Sequence, residues 1–207
     1  MEVITLLFVL SSIIIILTPG QDMMMVMSQS ISHGKKAGII TALGVSFGLL
    51  GHTLLATIGL GSLLMTSTWL FDVIKFIGAA YLIYIGYQLL VSKEPKLAIK
   101  TLPKASYKKM FIQGALTNIM NPKIAIFYFS YLPQFVTLNE GNQSLQLFIL
   151  GITYAILAFL IKAPIGFISG VLSLWIKSRP MVLRYINKTS GVILIGLGLK
   201  LATQERA

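Results

Sequence analysis

The chain has 207 residues, 56% of them hydrophobic and only 11% charged, and its mean hydropathy is +0.84. Soluble domains carry about a quarter charged residues, so an ordinary soluble fold, a disordered chain and a disulfide-rich scaffold are all excluded. The lack of cysteine removes thiolate metal sites and cysteine nucleophiles, while the net charge of +11 has to be judged by where the lysines fall.

A helix needs about 20 apolar residues to cross the hydrocarbon. The sequence predicts six such spans, and hence an all-α polytopic membrane protein. Span one starts at Val3, runs to Leu17, is interrupted at Thr18-Pro19-Gly20 and continues through a methionine-rich stretch to about Ile31. Its flank holds Glu2 and no Lys or Arg, and no small-residue cleavage pattern follows, so it is expected to be retained. Span two runs from Ala37 to about Leu64, and span three from Phe71 to Val91. Span four runs from about Met110 to Leu132 with Asn121-Pro122 inside it. Spans five and six cover about Leu145–Ile176 and about Met181–Leu201. One transmembrane domain over 1–207 is expected, with halves at about 1–92 and 110–207 joined by a basic loop at 93–109.

Twelve of the 17 basic residues fall in three short connections: Lys35 and Lys36; Lys93, Lys96, Lys100, Lys104, Lys108 and Lys109; and Lys177, Arg179, Arg184 and Lys188. The alternate connections, Gly59–Leu70 and Pro133–Ser144, hold none. Short Lys/Arg-rich loops stay cytoplasmic, so the spans cross in turn and both termini are expected outside. This accounts for the positive charge without nucleic acid, and leaves contact with anionic lipid headgroups as an added expectation.

Spans one and four are each interrupted by proline, which removes a backbone hydrogen bond and clashes with the preceding turn. Three crossings separate them, so they run in opposite directions. That is the pattern of a three-plus-three inverted repeat with broken helices at corresponding places, the arrangement in which transporters build their sites. The bland alternative is a pair of packing kinks.

These segments also carry a family resemblance. Leu17-Thr18-Pro19-Gly20-Gln21-Asp22, Gly34-Lys35-Lys36-Ala37-Gly38 with Gly44, Asn118-Ile119-Met120-Asn121-Pro122-Lys123 and Tyr131-Leu132-Pro133-Gln134-Phe135 together resemble the LysE/RhtB family of bacterial amino-acid exporters. The likeness covers nearly the whole chain in order and spacing. It departs at Gln21, where the family commonly has a second proline. The resemblance implies a multi-pass protein of the bacterial inner membrane that exports amino acids or close derivatives, homoserine-, threonine- or leucine-like or basic, driven by the proton gradient.

Charges inside a membrane are costly and usually face a protein interior or a water-filled cavity. Asp22, just after the first break, is a candidate to hold a substrate ammonium or take up a proton, or else to cap the helix that restarts there. Asn118 and Asn121 share a helix face. They line a polar cavity or bond carbonyls that Pro122 frees. Lys123 is a candidate partner for Asp22 or for a substrate carboxylate, against a lysine snorkelling to an interface. Lys162 lies near the centre of span five, two residues before Pro164, too deep to snorkel easily. It pairs with an acid or meets an anionic substrate group. The helix breaks are expected at Thr18, Pro19, Gly20, Pro122 and Pro164. His52 is read as a proton relay or as a histidine bonded to a helix carbonyl. Asp72 and Lys75, beside Trp69, read as an interfacial ion pair. Gly44-x-x-x-Gly48 with Gly51 permits close helix approach, within one subunit or between two, so a homo-oligomer stays open.

The resulting expectation is a proton-coupled secondary exporter of amino acids. Its alternative is an exporter of cations or metal ions, since carboxylates also bind hard ions. No Walker-type loop, HExxH pattern, paired acids or Ser/His/Asp constellation occurs, so ATP-driven transport, enzyme chemistry, a resident metal and a cofactor are not expected.

Overall fold

The computed structural model describes residues 2–66, 68–92, 102–137, 141–178 and 180–203. The described residues form helices with no strand among them: α1 (Glu2–Leu17), α2 (Gln21–His33), α3 (Lys35–Thr66), α4 (Thr68–Val91), α5 (Tyr107–Ile119), α6 (Pro122–Tyr131), a 3-10 turn at Leu132–Phe135, α7 (Gln143–Ser178) and α8 (Pro180–Thr203). Span one is α1 plus α2, which meet at 55° across the Thr18-Pro19-Gly20 break. Span four is α5 plus α6, separated at Met120-Asn121.

The break at Pro164 is corrected. α7 runs helical from Gln143 to Ser178 with Pro164 inside it. A lone proline costs one hydrogen bond and a kink, which a long packed helix tolerates. The true interruptions have a second breaker beside the proline, Gly20 in one case and Asn121 in the other. The connections read as Gly59–Leu70 and Lys177–Lys188 are also mostly helical, with α3 running to Thr66 and α4 starting at Thr68, α7 running to Ser178 and α8 starting at Pro180, and positions 67 and 179 lie outside the described residues. So does most of the basic loop, 93–101.

By length and apolarity, α3 and α7 are each able to cross a membrane, and the bent α1–α2 pair makes a third span if counted as one. Among the described residues, shorter apolar helical stretches follow at Lys75–Val91 in α4 and at Ile124–Phe135 beyond the Pro122 break.

Glycines set the packing. α3 lies along α7, where a Cβ on Gly38 would meet the Gly166 carbonyl oxygen at 2.8 Å and one on Gly166 the Gly38 oxygen at 3.1 Å. α4 lies along α8, where Gly86 and Gly191 face each other's carbonyl oxygens, each at 2.7 Å. Gly44 and Gly48 dock on α5 within the same chain, against the backbone oxygens of Phe111 and Ala115. Gly34, at φ 89°, supplies the left-handed turn that lets α2 pass into α3 through a single residue. Packed against these crossings is an apolar core with an aromatic cluster, Phe8, Phe127, Tyr128, Tyr131, Phe135 and Tyr154.

Candidate functional site

At the first break Pro19 ends α1, and Gly20, in extended geometry, is the N-cap of α2 with no side chain capping it. Asp22 therefore lies in the first turn of α2, where the helix dipole favours an anion, with its carboxylate free to point elsewhere. It points at the other break. Asn118 Nδ2 donates to Asp22 Oδ2 at 2.7 Å, and Asn121 Nδ2 donates to Oδ1 at 3.5 Å. Lys162 Nζ on α7 lies 3.1 Å from the same Oδ2. All four are buried, none more than 5% exposed.

The cluster thus draws on three separate helices and the α5–α6 break. A carboxylate removed from water keeps its charge only with such partners: one cation and two amide donors. The acid that the sequence left open to Lys123 is held by Lys162. Lys123 is the second residue of α6, and its side chain lies outside the described residues.

A cavity of about 40 Å³ adjoins the pair. Its polar lining comes from Thr18, Gln21, Asp22, Tyr81, Asn121 and Lys162. Its walls are apolar and aromatic, Ile15 and Ile16 from α1, Leu82 and Ile85 from α4, Phe127 and Tyr154, and Leu194 from α8. A space of ~15 Å³ takes one water, so this one suits a few waters rather than an amino acid. Access for a larger ligand requires the helices around it to part.

His52 is buried beside the cluster but not in the cavity. Its Nε2 is 3.1 Å from the Asn118 carbonyl oxygen, and its ring lies 5.7 Å from that of Tyr128. Pro164 lies two residues beyond Lys162, on an exposed face of α7. Thr18 closes α1, its hydroxyl donating to the Ile14 carbonyl at 2.9 Å. Asp72 and Lys75 pair at 3.2 Å, apart from the site, with the Lys75 ammonium over the Phe76 ring.

Sequence reasoning passed over Gln29 and Gln113, which join α2 to α5 through a bond from Gln29 Nε2 to Gln113 Oε1 at 2.9 Å. Two glutamines inside apolar spans were the available signal. It also passed over the apolar cavity wall, since aliphatic residues in a membrane helix give no sign of which face meets a ligand.

Fold and site together define a membrane protein that gathers charge and amides at two helix breaks, the way small-molecule transporters are built. The family model for the LysE type translocator matches residues 13–205, so the chain belongs to that family and is a membrane transporter, not an enzyme. It is similar to an uncharacterized membrane protein of Bacillus subtilis (strain 168), YrhP, at 37% identity over 194 residues, 89% of this chain and 91% of the relative. The leucine efflux protein of Klebsiella pneumoniae is 28% identical over 204 residues, 97% of this chain and 95% of that protein. An uncharacterized membrane protein of Vibrio cholerae is 30% identical over 200 residues, 97% of both chains. No solved structure matches the chain.

Proposed function

We propose that this protein is a secondary-active exporter of amino acids in the bacterial inner membrane, driven by the proton gradient, with apolar uncharged amino acids as its substrates. The observation that carries the reading is the buried Asp22–Lys162 pair in the lining of a cavity with aliphatic walls. A zwitterionic amino acid presents the same two charges in reverse. Its ammonium takes the place of Lys162 on Asp22, its carboxylate takes the place of Asp22 on Lys162, and each buried charge keeps a partner. Asp22 supplies the coupling: protonated, it no longer holds the ammonium, so proton and substrate exclude each other at one group. The aliphatic wall favours an aliphatic side chain, and the lining among the described residues holds no second acid for a basic one. The leucine efflux relative supports the same choice.

The chain is read as six crossings, two mirrored halves and both termini outside. The pairing of α3 with α7 and of α4 with α8 supports the mirrored halves, because it sets span two on span five and span three on span six. A cation exporter is disfavoured at the site itself: the Lys162 ammonium sits on the one carboxylate that a cation would need.

The test is efflux from proteoliposomes preloaded with leucine, lysine or glutamate, with and without an imposed proton gradient. Gradient-stimulated leucine efflux is expected. Efflux of lysine alone, or efflux indifferent to the gradient, overturns the reading.

A further inference from the structure

The carbonyl of Asn118 is the one that Pro122 orphans. In an α-helix each carbonyl accepts from the N–H four residues on, and four residues after Asn118 stands a proline without one. Two groups fill the gap: the backbone N–H of Asn121 at 3.0 Å, and Nε2 of His52 at 3.1 Å. A carbonyl only accepts, so Nε2 carries the hydrogen. Nδ1 is buried without a hydrogen-bond partner among the described residues, the setting of a neutral ring whose Nδ1 bears a lone pair rather than a second N–H.

We propose that His52 is a positioning residue for the transport site: as a neutral donor it holds the α5–α6 break at Asn118, and through it aims the Asn118 amide at Asp22. The proposal rests on reading the Asp22 cluster as the transport site. His52 ends a stripe at four-residue spacing along α3. A Cβ on Gly44 would lie 2.1 Å from the Phe111 oxygen, and one on Gly48 would lie 2.8 Å from Asn118 Cβ. The two glycines bring α5 onto α3, and His52 takes the carbonyl where α5 ends. The same asparagine turns its Nδ2 to Asp22 at 2.7 Å. A proton-carrying histidine needs a partner for each nitrogen in its charged form. Here one nitrogen faces a carbonyl. The ring lies 5.7 Å from that of Tyr128, and among the described residues its link to Asp22 runs through Asn118.

The experiment compares His52→Gln, His52→Leu and His52→Leu/Pro122→Ala in proteoliposome efflux over a range of pH, together with thermal unfolding in detergent. His52→Gln still offers an N–H, so efflux within about twofold of the parent and an unchanged pH profile are expected. His52→Leu leaves the carbonyl with the Asn121 N–H alone and should lower efflux roughly tenfold and the unfolding temperature with it. Adding Pro122→Ala returns an N–H to the carbonyl, so the double variant should unfold at a higher temperature than His52→Leu. Full efflux by His52→Leu overturns the proposal. So does a His52→Gln variant that loses its response to the proton gradient, which would make the ring a proton carrier. If the parent effluxes no amino acid, the transport reading fails, whereas the stability comparison between positions 52 and 122 still decides the positioning role.

Discussion

Lys162 lies inside a 36-residue helix, where an ammonium without a partner would be costly. Its contact with Asp22 resolves that cost and creates another, because neither charge can be removed alone. Breaking a buried pair on one side costs about 3–5 kcal/mol, whereas replacing both members with apolar groups is often neutral. Asp22→Asn is therefore expected to abolish efflux and to destabilise the protein by about 3 kcal/mol, although Asn is close to Asp in size. Lys162→Met added to it should restore the unfolding temperature and leave efflux absent. Thermal unfolding and efflux on the same preparations check this. Efflux by the double variant would reduce the pair to a structural role. Asp22 and Lys162 were each legible in the sequence as charges in apolar surroundings. Their partnership was not, since 140 residues separate them and Lys123 fitted the pattern equally well.

Helices followed the apolar pattern closely, because runs of about 20 apolar residues admit little else in a membrane. Breaks were harder to read, because a proline marks a lost hydrogen bond and not how the helix absorbs it. Pro19 and Pro122 interrupt the chain next to Gly20 and Asn121, while Pro164 is carried within α7. The role of Gly44 and Gly48 within one chain was equally hidden, since the spacing permits close approach without naming the neighbour. The structure now separates glycines that do different things. A Cβ on Gly44 would meet the Phe111 oxygen at 2.1 Å, but one on Gly196 finds nothing within 4 Å. Gly44→Ala should lower stability by roughly 1–3 kcal/mol through forced separation of α3 and α5. Gly196→Ala should hold or raise it by up to about 1 kcal/mol through helix propensity. Unfolding temperatures of the two variants, measured side by side, test the contrast. Equal losses would mean that the α3–α5 contact has slack to absorb a methyl group.

At the scale of the whole molecule, orientation and symmetry make one joint claim. Two mirrored halves lie in one membrane only if the second enters from the opposite side to the first, which requires an odd number of crossings per half. Three and three place the joining segment 93–109 on one side and both termini on the other. The charges choose the side. Lys93, Lys96, Lys100, Lys104, Lys108 and Lys109 crowd the joining segment, while Gly59–Leu70 and Pro133–Ser144 carry no basic residue. Basic loops of this length stay in the cytoplasm. The packing pairs span two with span five and span three with span six, α3 on α7 and α4 on α8, which is the pairing such an axis asks for. A reporter fused after Lys100 should therefore read cytoplasmic and one fused after Ala207 external. Moving basic residues into Pro133–Ser144 should disturb the second half first, because its neighbouring loops compete for the same side. A cytoplasmic reading after Ala207 would mean an odd number of crossings in total. In that case the halves could not mirror each other, and the meeting of the two breaks at Asp22 would have to be explained without symmetry.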